Sequence, residues 1–188
     1  ENVFISPFSA AIALGMTLNG AAGDTEAAMR RTLGLEGRTA AEINEAYRGL
    51  TTLLLDLDPS VQLGIANAIF HRDDFPFEAA FLETGRTWFD AEIAGLDFAS
   101  PQAVPTINGW ASEKTNGRID RVLDEIAGDD VMFLMNALYF KGAWRSRFDA
   151  RRTQPVPFTR DDGTQAPVPM MALSAAPVRA GWHDRAQI

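Results

Sequence analysis

Two histidines, His71 and His183, are the residues of this chain best suited to acid–base chemistry near neutral pH. His71 begins the triplet His-Arg-Asp, which in protein kinases contains the catalytic base. The chain has no glycine-rich nucleotide loop, no DFG triplet and no asparagine at the required distance from this triplet. It also has no GxSxG turn that would expose a nucleophilic serine. We therefore attribute the triplet to chance.

Pairs of adjacent aspartates are the other groups that could bind a metal ion or transfer protons. Neighbouring carboxylates in a turn usually face solvent, and none of the pairs has the ligand spacing of a metal site. The chain contains no cysteine, which excludes disulfides, thiolate nucleophiles and zinc–thiolate centres. We expect no metal, no cofactor and no enzymatic activity. The three pairs are Asp73-Asp74, Asp129-Asp130 and Asp161-Asp162.

The composition is that of a globular protein with an acidic surface. Apolar residues make up 46% of the chain and charged residues 22%. The chain has 17 Lys and Arg against 25 Asp and Glu, which gives a net charge of −8. Because this charge repels polyanions, we expect neither nucleic acid, nor heparin, nor an anionic membrane surface as a partner. No run of 18 apolar residues occurs, so we expect no membrane span.

The most apolar segment, Val131–Phe140, contains one polar side chain, Asn136. Such a run indicates a strand that is buried on both faces and lies inside a sheet rather than at its edge. Lys141-Gly142 ends the run. A buried amide without partners costs about 1–3 kcal/mol. We therefore expect Asn136 to be hydrogen-bonded, either as an ordinary core amide or in a functional role.

The rest of the pattern mixes helices and strands and predicts a mixed α+β protein. Ser6 and Pro7 predict the start of an almost wholly apolar helix that reaches about Asn19 and is buried in the domain. Thr39 and Glu42 form a capping box before another helix. We predict further helices over residues 24–33, 77–88 and 104–116, strands over 61–70 and 91–98, and a hairpin over 155–170 with its turn at Asp162-Gly163.

Four segments resemble motifs of the serpin family and occur in the family's order. The similarity covers most of the chain. Ala111 stands where the family usually has Val, and Arg118 stands where it usually has Lys. The segments are residues 2–9 (NVFISPFS, like NxxxSPxS), 16–25 (MTLNGAAGDT, like the exit of the second helix), 107–119 (INGWASEKTNGRI, like INxWVxxxTxGKI) and 136–144 (NALYFKGAW, like NAxYFKGxW).

The resemblance assigns roles to three groups of residues. One group matches the shutter, a hydrogen-bonded patch beneath the strands that must part: Ser6, Pro7, Ser9 and Asn136. A second matches the breach, where a loop first enters the sheet: Lys141, Gly142 and Trp144. A third matches a helix packed across the sheet face, which shifts during insertion: Asn108, Trp110, Thr115, Gly117 and Ile119. We further expect the Asn136 side chain to hydrogen-bond near Ser6 and Ser9.

The resemblance implies a serpin fold, in which helices pack around a large mixed central sheet. Residues 1–188 would then form part of the domain, with the first helix and the C-terminal half outside them and the smaller sheets incomplete. The implied function is inhibition of a serine protease, or of a cysteine protease, through cleavage of a reactive loop and its insertion into the central sheet. That loop would also lie outside these residues, so we expect the 188 residues alone to be inactive.

An alternative is a non-inhibitory relative that serves as a binding, carrier or chaperone module. The hinge of the reactive loop distinguishes the two, because inhibitors have small residues there that can enter a sheet. The resemblance also implies an extracellular or secreted protein, although nothing in the sequence excludes the cytoplasm.

Overall fold

The computed structural model describes residues 6–144, 146–173, 182–183 and 186–187. The chain divides into two compact units, Glu1–Lys141 and Gly142–Ile188. The mixed α+β class expected from the sequence is confirmed. The first unit contains α1 (Pro7–Leu18), α2 (Gly23–Leu33), α3 (Ala40–Asp56), β1 (Gln62–Arg72), α4 (Ala79–Phe89), β2 (Ala91–Leu96), α5 (Ala103–Lys114) and β3 (Met132–Lys141).

The second unit is built around a hairpin. Its strands are antiparallel, and Gly163 in the connecting turn has a φ of 79°, which glycine adopts without strain. The predicted hairpin and turn are confirmed. Its elements are a 3₁₀ turn (Ala150–Arg152), β4 (Gln154–Thr159), β5 (Gln165–Met170), β6 (Trp182–His183) and β7 (Ala186–Gln187).

Local sequence signals account for the first residues of α1 and α3. Ser6 caps α1 by accepting a hydrogen bond from the Ser9 N–H at 3.2 Å. Thr39 and Glu42 form the predicted capping box of α3. The prediction for α2 is wrong at its first residues: the helix begins at Gly23 after Ala22, and Asp24 lies in its first turn instead of capping it. There its carboxylate faces the positive end of the helix dipole.

The sheet of the first unit has the order β2-β1-β3, with β1 parallel to β2 and antiparallel to β3. β1 is therefore the central strand. The expectation that the apolar run would lie inside the sheet, buried on both faces, is wrong for the described residues, where β3 pairs only with β1. Of its ten residues only Ala137 is fully buried. The apolar side chains of β3 could be buried between two neighbouring strands and the layers above and below them. Among the described residues β3 has a neighbouring strand on one side only, so these side chains stay partly exposed.

Alternation along β1 creates two cores, one on each face of the sheet. Ala68 and Phe70 point towards α5 and pack with Ile107, Trp110 and Ala111. On the opposite face, Ile69 packs with residues of α1 and of the segment around the end of α4. The unit is thus layered, with the sheet between α5 and the other helices.

α1 is less buried than its apolar sequence predicts. Ile12, Met16 and Leu18 are almost completely buried, whereas the side chain of Leu14 is 42% exposed. One face of the helix packs on the sheet, and the described chain leaves another face open to solvent. No helix in the described ranges is both long enough and apolar enough to cross a membrane.

Candidate functional site

A series of hydrogen bonds through two amides, the buried Asn67 and the part-buried Asn136, joins two strands of the sheet. Asn136 on β3 donates from Nδ2 to Oδ1 of Asn67 on β1 at 2.8 Å. Asn67 in turn donates from Nδ2 to the carbonyl oxygen of Phe89 at 2.7 Å. Phe89 is the last residue of α4, so these hydrogen bonds connect two strands to the end of a helix. This network is polar in an otherwise apolar core and specifies one register of β3 against β1.

The partner of Asn136 differs from the sequence expectation. We expected Ser6 and Ser9, but no hydrogen bond joins them to Asn136 in the described structure, and Asn67 takes their place. The physical reason is register: Asn67 and Asn136 are directly paired across β1 and β3, so their side chains lie on the same face. The Ser6 hydroxyl is engaged as the cap of α1.

Ser6 and Pro7 nevertheless lie near the same part of the sheet. They line a groove of about 600 Å³ together with Leu138, which is two residues from Asn136 on β3. The groove also contains apolar side chains of β1 and of the end of α3. Two of the four residues that the resemblance matches to the shutter, Ser6 and Pro7, thus line this groove, whereas Ser9 and Asn136 do not.

One acceptor in this region has no partner. Oδ1 of Asn136 is buried and receives no hydrogen bond among the described residues. This oxygen belongs to a residue of β3, and the outer edge of β3 is also unpaired among the described residues. A buried acceptor without a donor costs about 1–3 kcal/mol, so the β3 region retains unused hydrogen-bonding capacity.

Asn67 is the residue of this network that sequence reasoning missed. It is 5% exposed. A signal was available, because Asn67 occupies a position in the alternating pattern of β1 whose neighbours on the same face, Ile65 and Ile69, are core residues. A lone amide at such a position needs a polar partner.

Asn108 fixes the segment that follows α5. Its Oδ1 accepts hydrogen bonds from the N–H groups of Val122 at 2.8 Å and Leu123 at 2.9 Å. Its Nδ2 donates to the carbonyl oxygen of Leu123 at 2.8 Å. The single side chain therefore holds the returning chain beside the helix. These three bonds explain why an amide is required at this position.

The exit of α5 depends on Thr115 and Gly117. Thr115 is 2% exposed, and its Oγ1 donates to the Ala111 carbonyl at 2.7 Å and accepts from the Ile119 N–H at 3.0 Å. Gly117 has a φ of 70°, a conformation that glycine adopts without strain. Ile119 contributes through its backbone, since its side chain is 45% exposed. These residues turn the chain sharply after the helix.

Trp110 anchors α5 on the sheet. Its ring packs edge-on against Phe70 of β1, with centroids 6.0 Å apart. The side chain is 7% exposed, and Nε1 finds no acceptor among the described residues. The helix is thus held at its centre by apolar and aromatic contact rather than by a hydrogen bond.

The breach residues fall in both units. Lys141 ends β3 and is paired with Gln62 in the register of the sheet. Gly142 and Trp144 belong to the second unit, where Trp144 is 65% exposed and packs edge-on against Phe148 at 5.4 Å. An exposed indole of this kind can bury further apolar area when another segment covers it.

Several residues first considered for acid–base or metal chemistry make local contacts, whereas the side chain of His183 lies outside the part of the chain that the structure describes. His71 Nδ1 lies 2.9 Å from the Arg72 carbonyl oxygen. The Arg72 guanidinium bonds to Asp74 and lowers the pKa of that carboxyl. Asp130 accepts the Ala127 N–H. In the part of the chain that the structure describes, no group of three or more His, Asp or Glu side chains could hold a metal ion.

The comparison with protein families gives one match, to the model described as Serpin (serine protease inhibitor), over residues 1–187. Among curated proteins, leukocyte elastase inhibitor of Bos taurus is 36% identical over 174 residues, which are 90% of this chain and 45% of that protein. Corticosteroid-binding globulin of Saimiri sciureus is 33% identical over 178 residues, 93% of this chain and 44% of that protein. The chain thus spans less than half the length of these relatives.

Solved structures agree. The thermophilic serpin tengpin in its latent state matches with a TM-score of 0.78 and 34% identity, covering 89% of this chain and 45% of that one. Cleaved kallistatin complexed with heparin matches with a TM-score of 0.84 and 27% identity, covering 91% of this chain and 51% of that one. These similarities cover about nine-tenths of this chain and establish the serpin fold.

Proposed function

Because this chain belongs to the serpin family, we propose that it is the N-terminal and middle part of a serine protease inhibitor that inserts its cleaved reactive loop beside β3. The match to the family model over residues 1–187 carries the proposal, and the edge of β3 is the part of the structure to which the proposal applies. Its outer side is unpaired among the described residues, and the adjacent Asn136 Oδ1 is buried without a donor. An unpaired strand edge offers a row of N–H and C=O groups on which another strand can add.

The energetic driving force would be strand addition itself. Every second residue of the inserted strand would add ladder hydrogen bonds to β3, and the strand would cover apolar side chains of β3 that are now only half-buried. A native state that lacks this strand is strained relative to the inserted state, and cleavage releases the strain. The protease attached to the loop is then displaced before it can complete hydrolysis. The protein itself would have no catalytic role.

We assign the shutter to Ser6, Pro7, Ser9 and Asn136 and add Asn67, since Asn67 is the residue that holds Asn136. In this assignment the two amides pin β3 to β1 while the sheet is closed. Lys141, Gly142 and Trp144 would form the breach. The proposal for Trp144 is supported by its 65% exposure, which leaves the ring free to contact an incoming loop.

The partner would be a serine protease, or a cysteine protease. The similarity to a heparin-bound kallistatin gives no support to our expectation that heparin is not a partner. For α3 the expectation retains a physical basis, because Arg48 is its only basic residue against Glu42, Glu45 and Asp56. We therefore propose that α3 is not a polyanion site, so Arg48→Ala should leave heparin retention unchanged.

Incubation of the full-length protein with trypsin-, chymotrypsin- and subtilisin-like proteases tests the proposal. At least one enzyme should give an SDS-stable complex at the summed mass, because the acyl bond to the loop persists. The 188 residues alone serve as the control and should give no such band. Cleavage of the full-length protein by all three classes with full recovery of enzyme activity would overturn the inhibitory proposal.

A carrier function is the second candidate. It is favoured by the 33% identity to corticosteroid-binding globulin and by the match to thyroxine-binding globulin complexed with thyroxine. In that case the full-length protein would bind an apolar hormone-like ligand, measured by equilibrium dialysis, and form no covalent complex. For either function we propose secretion, which expression with the native N-terminus and analysis of the medium would test.

A further inference from the structure

Two charged residues occupy positions where the patterns of their elements favour apolar side chains. On α5, Lys114 continues the face formed by Ile107, Trp110 and Ala111, which are buried against the sheet. On β2, Glu92 lies on the same face as Ala94 and Leu96, which pack towards α5. The two charges meet: Lys114 Nζ lies 2.6 Å from Glu92 Oε1.

The pair is the one polar contact between α5 and the sheet among the described residues. Trp110 contributes apolar contact only, since its Nε1 has no partner there. Asn108 bonds to Val122 and Leu123, which follow α5 in the chain and can move with it. Lys114–Glu92 is therefore the polar contact that must break if the end of α5 leaves the sheet.

α5 contacts all three strands of the sheet. Trp110 packs on Phe70 of β1, the same cluster includes Ala137 of β3, and Lys114 pairs with Glu92 of β2. Adding a strand changes the twist and spacing of a sheet. A helix held to three strands at once resists such a change until one of its contacts yields.

We propose that the Lys114–Glu92 ion pair is a latch that holds the C-terminal end of α5 on β2 and sets the rate at which the sheet admits a new strand. This role rests on the proposed inhibitory function and concerns the regulation of the same sheet. The side chain of Lys114 is 25% exposed and that of Glu92 56%, so the pair is accessible enough to open without burying a lone charge.

Glu113 makes the contact releasable. Its Oε1 lies 3.2 Å from Lys114 Nζ, so the lysine has a second carboxylate on its own helix. When α5 lifts, Lys114 loses Glu92 but keeps Glu113 as a counterion. Both carboxylates raise the pKa of Lys114, with Glu92 the larger cause, and the lysine stays charged in either position. The cost of opening is thereby reduced to the loss of one partially exposed pair.

Hydrogen exchange of the α5 amides in the full-length protein tests the latch directly. Glu92→Gln keeps the size of the side chain and removes the charge, and it should speed exchange in α5 by about two- to fivefold, the range of a partially exposed ion pair. Lys114→Arg retains the cation and should exchange as the wild type does. Glu113→Gln should slow exchange, because the lifted helix then has no carboxylate for Lys114.

A second readout is the rate of conversion to latent or polymeric forms on mild heating, followed on native gels. Glu92→Gln should convert two- to fivefold faster at low salt, and the difference should vanish at high salt, which screens exposed pairs. Glu83→Gln is the matched control: it removes an ion pair on α4, 3.6 Å from Glu83 to Arg86, that does not contact the sheet. Its exchange in α5 and its conversion rate should equal those of the wild type.

Equal α5 exchange in Glu92→Gln and Glu83→Gln would overturn the latch, as would exchange in Lys114→Arg as fast as in Glu92→Gln. Neither measurement needs a protease, so the latch and the inhibitory function fail separately. If the full-length protein forms no covalent complex with a protease, the proposed inhibitory function is wrong. If α5 exchange is nevertheless faster in Glu92→Gln, the latch remains as a property of the fold.

Discussion

Asn67 and Asn136 face each other across β1 and β3, and the Asn136 Nδ2 donates to the Asn67 Oδ1 at 2.8 Å. The Asn67 Nδ2 in turn donates to the Phe89 carbonyl oxygen. Each amide in this chain therefore has a fixed orientation: Asn67 must present its oxygen to β3 and its nitrogen to α4. A residue with two oxygens cannot satisfy both partners.

Asn67→Asp should destabilise the full-length protein by about 3 kcal/mol at neutral pH, the scale of a buried charge that has lost its partner. The introduced carboxylate can accept from Asn136, but it faces the Phe89 carbonyl without a proton to donate. Protonation of the introduced carboxyl would restore a donor to the Phe89 carbonyl oxygen. Because burial and this carbonyl both disfavour the charged form, they raise the pKa of the introduced carboxyl in the folded state. The native state then binds the proton more tightly than the unfolded state does, and the deficit shrinks as pH falls.

Urea denaturation of Asn67→Asp, Asn67→Ala and wild type across about pH 4 to pH 8 measures this effect. The deficit of the alanine variant should be nearly independent of pH and serves as the control. A deficit of the aspartate variant that stays constant over this range would show that Asn67 does not need to donate to Phe89.

The sequence predicts the helices and strands well because their signals are local. Ser6-Pro7 at α1 and the Thr39–Glu42 box at α3 act within one turn of the chain. The alternation of β1 predicts both faces of the sheet. Such patterns suffice for the type of an element and for its limits to within about two residues.

The polar contacts between elements are not predictable in this way. Asn136 bonds to Asn67, which is 69 positions away, and which partner it finds depends on the register of β1 and β3. The Lys114–Glu92 pair depends in the same way on where α5 crosses β2. The family motif indicated that Asn136 matters, but the identity of its partner required coordinates. The position of β3 in the sheet likewise depends on which other strands are present.

Gly15→Ala should destabilise the protein by about 1–3 kcal/mol, the usual cost of overpacking a core. A Cβ at this position of α1 would lie 2.6 Å from the ring of Tyr47 on α3, so either the ring or one of the two helices must shift. Gly49→Ala is the matched control, because nothing lies within 4 Å of its added Cβ in the same α3 helix. That variant should gain up to about 1 kcal/mol from helix propensity. Chemical denaturation of the two variants should give opposite shifts, and shifts of the same sign would contradict the close packing of α1 on α3.

Glu42→Gln should remove a pH-dependent part of the stability. The Thr39 N–H, and then the Thr39 hydroxyl, bond to the Glu42 carboxylate and lower the pKa of this group. A carboxyl whose pKa is lowered by folding stabilises the native state fully above its unfolded value, and the stabilisation is lost as pH falls through the folded value. Wild type should therefore lose more stability than Glu42→Gln between about pH 6 and pH 3. Parallel curves for the two proteins would show that the box does not depend on the charge.

The last prediction concerns Asn136→Ala. The substitution leaves the buried Asn67 Oδ1 without its donor, at a cost of about 1–3 kcal/mol, and removes a connection between β3 and β1. If this connection stabilises the closed sheet more than the inserted one, the variant should convert early to latent or polymeric forms. Heating wild type and variant below the melting transition, followed by native gels, measures the conversion.

The matched control is Asn44→Ala, which breaks another amide pair, the reciprocal 2.9 Å bonds between the buried Asn44 on α3 and the part-buried Asn19 at the end of α1. That pair joins two helices and lies outside the strand ladder. It should lower stability by a similar amount without raising the conversion rate, because a bond between two helices should stabilise the closed and the inserted sheet equally. Equal conversion in the two variants, with equal loss of stability before and after loop insertion, would make Asn136 an ordinary core amide and remove it from the mechanism.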